Sequence, residues 1–242
     1  MKRMWDHTPQ HTVHNTKCIL PVNEGNVKGI CSKVCLLRVN FCLHFPKEGA
    51  LPLTKIFPHG KMTLHKRMEG TAMAKTLVVF YSRKGENHMP GGIQVLEKGN
   101  TAYAAEAISK ALDADIFEID TVKPYAENYR ACCMEAVEEF KTNARPEIQG
   151  FVADISGYDT IFVCFPCWCG TAPMCVFTFL EHYDLSGKKI APLCTHEGSG
   201  LAKAPEYLEK SCPGAVIVPG LAIRGHQAKD SEAEIAAWAK SV

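Results

Sequence analysis

Three short stretches carry residues whose types and spacing suit binding chemistry. Ser82-Arg83-Lys84 closes an apolar run, Thr76-Leu77-Val78-Val79-Phe80-Tyr81. After residues 85–98 the chain resumes as Gly99-Asn100-Thr101-Ala102, at the head of a helical pattern. A strand that hands hydroxyls, a glycine and open backbone N–H groups to a helix N-terminus makes an anion cradle. The first four N–H groups of a helix lack intrahelical partners, and the macrodipole places partial positive charge there. For a phosphate, the Ser82 and Thr101 hydroxyls, the Asn100 amide and the N–H groups of 99–102 are the donors, and Lys84 adds a point charge. Ser82 and Thr101 equally suit ordinary turn and cap chemistry, with Asn100 as N-cap.

The other two stretches are Pro166-Cys167-Trp168-Cys169-Gly170 and Thr195-His196-Glu197-Gly198-Ser199-Gly200, each following an apolar run. Trp168, in a short loop between Pro166 and Gly170, offers a flat ring for stacking on a planar ligand; the plainer reading is a Trp that plugs a sheet edge. The small residues of 195–200 let backbone N–H groups approach a ligand closely. His196 reads either as part of that wall or as a solvated loop residue. Adjacent Cys132-Cys133 on a helix point apart, and Cys167-x-Cys169 lacks a two-residue spacer, so neither pair is a redox motif.

The elements that must position these loops alternate regularly from Met73 onward. Strand patterns are expected at 77–81, 114–119, 160–165, 189–194 and 215–218. Helices are expected at 102–112, 128–143, 171–182, 202–210 and 231–239. In the second helix the apolar face is Ala131, Met134, Val137 and Phe140. Thr171 is the expected N-cap of the third, with Pro173 in its first turn. In the last, Ile235 and Trp238 face inward. Continuous apolar strands separated by helices indicate an α/β fold with a parallel sheet covered on both faces, doubly wound in the order 2-1-3-4-5. Ligands of such sheets sit beyond the carboxyl ends of the strands, which is where all three loops lie. The Gly-rich segment 85–98 is expected to form a loop or hairpin on the phosphate side.

Residues 1–72 read differently. They carry a charge balance of +7 against −6 for residues 73–242, and prolines at 9, 21, 46, 52 and 58 interrupt any long element. Only 35–45 alternates like a strand. Cys31, Cys35, Cys42 and His44 are potential zinc ligands whose spacing matches no common finger. The division is therefore an irregular N-terminal extension, 1–72, and a folded domain, 73–242, with translation starting at Met73 as an alternative. Twelve cysteines in 242 residues, with no secretory pattern ahead of them, read as reduced thiols. No apolar run approaches the roughly 18 residues of a membrane span, so a cytoplasmic protein is the default. An acidic domain suits partners with basic faces and not nucleic acid.

Residues 75–242, about seventy per cent of the chain, resemble the flavodoxin family, in a bacterial form with an insertion inside its phosphate loop. Ser82-Arg83-Lys84 and Gly99-Asn100-Thr101 are similar to the two halves of that loop. Gly85-Glu86-Asn87, Gly92 and Leu96 are similar to features of the insert, and the Pro166–Pro173 and Thr195–Gly200 loops to the flavin walls. The resemblance implies a non-covalent flavin mononucleotide (FMN) and electron transfer with a redox partner protein or a small acceptor. It also implies a peptide near Gly170 that responds to flavin reduction. Cys169 stands where the family often has a second Trp, and the 195–200 loop has no aromatic ring except His196 where a Tyr is common. One ring face is then open to a small acceptor, which brings in an alternative, an NAD(P)H-dependent FMN oxidoreductase acting on quinone-like compounds. A more distant alternative is a cofactor-free binding module with zinc in residues 31–44.

Overall fold

A computed structural model describes residues 62–63 and 75–242. The readings of a strand at 35–45 and of zinc ligands at 31–44 lie outside the described residues.

The elements in order are β1 (Met62–Thr63), β2 (Thr76–Phe80), β3 (Gly85–Met89), β4 (Gly92–Leu96), α1 (Asn100–Leu112), β5 (Asp115–Glu118) and α2 (Tyr129–Thr142). They continue with β6 (Thr160–Pro166), α3 (Met174–Leu180), β7 (Lys189–His196), α4 (Ala204–Ser211), β8 (Val216–Ile217), β9 (Leu221–Arg224) and α5 (Glu232–Ser241). The main sheet runs β1-β5-β2-β6-β7, with β8 and β9 both pairing with β7. Apart from the antiparallel edge β1, every pairing is parallel. Counting the expected strands alone, this is the order 2-1-3-4-5. None of the helices among the described residues is long and apolar enough to cross a membrane.

Parallel strands covered on both faces alternate their apolar side chains between two cores. Leu77, Val79, Ile161, Val163 and Phe165 pack with Val176, Phe179 and Leu180 of α3 and Leu208 of α4. Val78, Phe80, Phe162 and Cys164 pack with Ala104, Ala105 and Ile108 of α1 and with Ile235 of α5. The alanine face of α1 lets that helix lie close to β2, so its N-terminus comes against the end of the strand.

Several local expectations are corrected. The inward stripe of α2 is Cys132 and Ala136, with Phe140 half-buried, whereas Met134 is 74% exposed. Small residues four apart, and not the larger apolar set, face the sheet. Pro173 and not Thr171 is the N-cap of α3, and Gly99 and not Asn100 caps α1. The fifth strand is split into β8 and β9 around Val218-Pro219-Gly220. Pro219 has no N–H to donate, and neither does Pro192 on the neighbouring β7, so the ladder is interrupted there. Gly220 passes so close that an added Cβ would lie 2.6 Å from the Pro192 carbonyl oxygen. Segment 85–98 is a two-stranded antiparallel hairpin, β3 with β4.

At the head of α1, the Ala102 N–H donates to Ser82 Oγ at 3.0 Å. Ser82 thus caps the helix from the strand before the hairpin. Gly99 is buried directly against Ser82 Oγ and the Arg83 carbonyl, where a Cβ would overlap both. Gly99→Ala should therefore destabilise the fold by about 1–3 kcal/mol in urea unfolding. Gly150→Ala, at a position with nothing within 4 Å, should stay within about 0.5 kcal/mol of the parent.

Candidate functional site

A cavity of about 190 Å³ opens beyond the carboxyl ends of β2, β6 and β7. Of the residues singled out in the sequence, Arg83, Asn100, Thr101, Pro166, Cys167, Trp168, Thr195, His196 and Glu197 line it. Asn87, His88, Tyr129 and Gly225 also line it and were not singled out as site residues. Ser82, Lys84, Gly99, Ala102, Cys169, Gly170, Gly198, Ser199 and Gly200 are not part of the lining. Ser82 is committed to Ala102, and Lys84 is exposed.

The β2 end of the cavity is built around Arg83, whose residue is only 8% exposed. Its Nε donates to the Glu86 carbonyl at 2.9 Å, and Nη2 donates to the carbonyls of Ala126 (2.9 Å) and Glu127 (2.6 Å). Among the described residues no carboxylate pairs with it, and its Nη1 makes no hydrogen bond. A cation removed from water and held only by carbonyl dipoles is incompletely compensated. Such a site suits an anion.

The hairpin is a wall of the same cavity. Asn87 Nδ2 donates to the carbonyls of Arg83 and Gly85, both at 3.1 Å. Glu86 Oε2 accepts from the Tyr129 N–H (2.6 Å) and from Asn128 Nδ2 (3.1 Å) at the head of α2. That carboxylate meets the positive end of the helix and clamps the hairpin to it. The clamp brings His88 and Tyr129 together, with ring centroids 6.1 Å apart.

Thr101 and Thr195 meet across the floor, with Oγ1 atoms 2.6 Å apart and exposures of 1% and 4%. The contact ties the first turn of α1 to the end of β7. Gly225, following β9, passes between Asn100 and Glu197; a Cβ there would lie 2.9 Å from Asn100 Nδ2 and from Glu197 Oε1. The Glu197 carboxylate accepts from the His226 N–H at 2.9 Å and lies 2.7 Å from its Nδ1. These close approaches draw the ends of β7 and β9 and the head of α1 into one rim.

At the other end, Trp168 stands edge-on to Tyr81 (5.4 Å) and Tyr125 (5.0 Å). Tyr125 OH donates to Glu139 Oε2 at 2.8 Å, and burial pushes the Tyr125 phenol far above its ordinary pKa. The indole is therefore pinned by neutral rings. Trp168 and Thr171 exchange backbone hydrogen bonds at 2.9 Å around Cys169 (φ 50) and Gly170 (φ 77). Two successive left-handed residues make a tight type I′ turn, which Gly170 accepts freely and Cys169 adopts under strain. Thr171 Oγ1 is buried with no hydrogen-bond partner among the described residues. His196 Nδ1 accepts from the Gly198 N–H at 2.9 Å, which leaves the proton on Nε2. Burial, followed by the nearby Arg224, lowers its pKa, so the ring is neutral at pH 7.

The threonine pair makes a testable claim about the floor. Thr101→Val or Thr195→Val alone leaves one buried hydroxyl unpaired and should cost about 1–3 kcal/mol. The double variant should cost less than the sum of the two, which a double-mutant cycle in urea unfolding would read as positive coupling.

Residues 95–242 match the model of the flavodoxin family. Among solved structures, the chain is similar to a flavoprotein from Bacteroides eggerthii at 27% identity and TM-score 0.55, covering 70% of this chain and 98% of that one. A flavoprotein from Bacteroides uniformis is similar at 27% identity and TM-score 0.57, covering 69% and 98%. A flavoprotein from Lactobacillus acidophilus, in complex with FMN, is similar at 22% identity and TM-score 0.49, covering 65% and 98%. No curated protein matches the chain by sequence. The family match spans more than half of the chain, reaches its last residue and falls on the fold described above, and this chain belongs to the flavodoxin family.

Proposed function

We propose that this protein binds FMN non-covalently in the cavity and carries electrons between redox partners. The observation that supports this most strongly is Arg83, a desolvated guanidinium with no carboxylate partner among the described residues, lining a cavity beside the head of α1. A phosphate monoester dianion is the counter-charge such a group lacks, and helix N-termini favour the same charge. Asn100 and Thr101 are the adjacent donors. Trp168 and the neutral His196 suit the planar, uncharged ring system at the other end, and Pro166 and Cys167 line the same cavity. The bound flavin supplies the redox chemistry. The chain holds the phosphate, orients the ring and narrows its access to water. The family membership and the acidic balance of residues 73–242 favour a carrier that docks against basic partners.

Fluorescence titration with FMN and riboflavin tests the two ends separately. Arg83→Gln should weaken FMN by about tenfold or more beyond any loss it causes for riboflavin, since charged hydrogen bonds contribute about 1.5–3 kcal/mol. Trp168→Ala should weaken both flavins, by about three- to tenfold. Equal loss of both flavins in Arg83→Gln would contradict the phosphate assignment.

Stopped-flow reduction separates the carrier from an NAD(P)H-dependent oxidoreductase. A carrier is reduced slowly by NADPH alone and quickly once a reductase is added. Fast reduction without a partner protein would contradict the carrier reading.

A further inference from the structure

The hairpin is tied to the rest of the domain through one of its two strands. Glu86 and Asn87, both on β3, make the contacts with the head of α2 and with the Arg83 carbonyl, and Met89 at the end of β3 is buried. β4 pairs with β3 and with no other described strand. Successive residues of a strand point to opposite faces. Ile93 (47% exposed) and Val95 (76%) share one face, and Gln94 on the other is exposed as well. The middle of β4 therefore stands clear on both faces. A two-stranded ribbon is marginal in water, and further strands are what it lacks.

The register says which backbone groups are free. Met89 and Gly92 close the two-residue turn Pro90-Gly91 and so form a hydrogen-bonded pair. Such pairs alternate with non-hydrogen-bonded ones along an antiparallel ladder. Asn87↔Gln94 is then hydrogen-bonded, whereas His88↔Ile93 and Glu86↔Val95 are not. The N–H and C=O groups of Ile93 and Val95 consequently point away from β3, and among the described residues no backbone bond meets them.

Soluble proteins block such edges with a charge, a proline or a bulge. The main sheet does so along β8 and β9, where Val218-Pro219-Gly220 breaks the strand and Arg224 ends it. From Gly92 to Leu96, β4 has no charged residue and no proline, and its register with β3 runs without a bulge.

We propose that β4 is a self-association edge, at which a second copy of this chain adds its own β4 antiparallel about a two-fold axis through Gln94. That register lays Gly92–Leu96 of each copy fully against the other. Ile93 of one copy then faces Val95 of the other, twice over, and the two pairs exchange four backbone hydrogen bonds within a sheet β3-β4-β4-β3. Charge complementarity selects this occupant. An acidic or basic strand finds no opposite charge along β4, whereas a copy of β4 sets apolar side chains against apolar ones. It also sets the Gln94 amide, both donor and acceptor, against its equivalent. The two Glu86 carboxylates stay at least three strand spacings apart, about 14 Å, where salt screens their repulsion. One strand pair is small for an interface, so the dimer is weak and forms with rising concentration. None of this depends on the FMN reading.

Sedimentation velocity of the full chain between about 1 μM and 1 mM should show a monomer–dimer equilibrium. Val95→Pro removes only an N–H that points away from β3, and with it two of the four bonds between copies; it should weaken the dimer by about tenfold or more. Val95→Lys keeps every backbone group and should weaken it too, by charging the edge, which separates loss of pairing from loss of fold. Gln94→Cys puts thiols on the axis, with Cα atoms about 4.5 Å apart, within disulfide reach. Glu97→Cys puts them about 20 Å apart, outside it. With cross-linked peptides mapped by mass, mild oxidation should join position 94 to its equivalent at least about tenfold faster than position 97. A chain that stays monomeric throughout the range would overturn the proposal, as would a dimer indifferent to both Val95 variants. So would a dimer in which Gln94→Cys links no faster than Glu97→Cys, since its interface would then lie elsewhere.

Discussion

A guanidinium taken out of water must find acceptors, and Arg83 finds them in two parts of the chain far apart in sequence. One is the hairpin three residues on; the other is the segment at 126–127, which leads into α2. The cost of desolvating this charge is offset only while both are in place. Hairpin, strand end and the approach to α2 therefore form one unit, and Glu86 at the head of α2 closes the loop between them. Among the described residues the arrangement leaves the positive charge without a carboxylate partner, beside a helix N-terminus. The fold's own packing thus creates a demand for an anion at the place where the cavity opens.

The rest of the site depends on backbones approaching closely. Gly99 against Ser82 and Arg83, Gly225 between Asn100 and Glu197, and Gly220 against Pro192 each occupy space that a Cβ would fill. The buried Thr101–Thr195 contact then locks the floor. Trp168 is held by two edge-on tyrosines and a strained two-residue turn. Both ends of the cavity are thus set before any ligand enters, which lowers the ordering cost of binding.

The sheet was legible because parallel strands buried on both faces read as unbroken apolar runs, and their order followed from the positions of the ligand loops. The fifth strand was not legible in full. Its second half, β9, lies beyond a proline and a glycine that read locally as a turn, and only the matching Pro192 on β7 explains the break. The face of α2 was misread because its inward residues are Cys132 and Ala136, small side chains that carry little periodic signal. The walls of the cavity were harder still. Asn87, His88, Tyr129 and Gly225 reach it through contacts between distant segments, such as Glu86 with the head of α2, that no local pattern records.

The central claim is that the Arg83 end of the cavity holds a phosphate as its dianion. Phosphorus NMR of the FMN complex tests it directly, because free phosphate monoesters titrate near pH 6. The account predicts a bound phosphate resonance whose shift stays flat between about pH 5 and pH 8. A resonance that follows the free FMN titration curve through that range would contradict it.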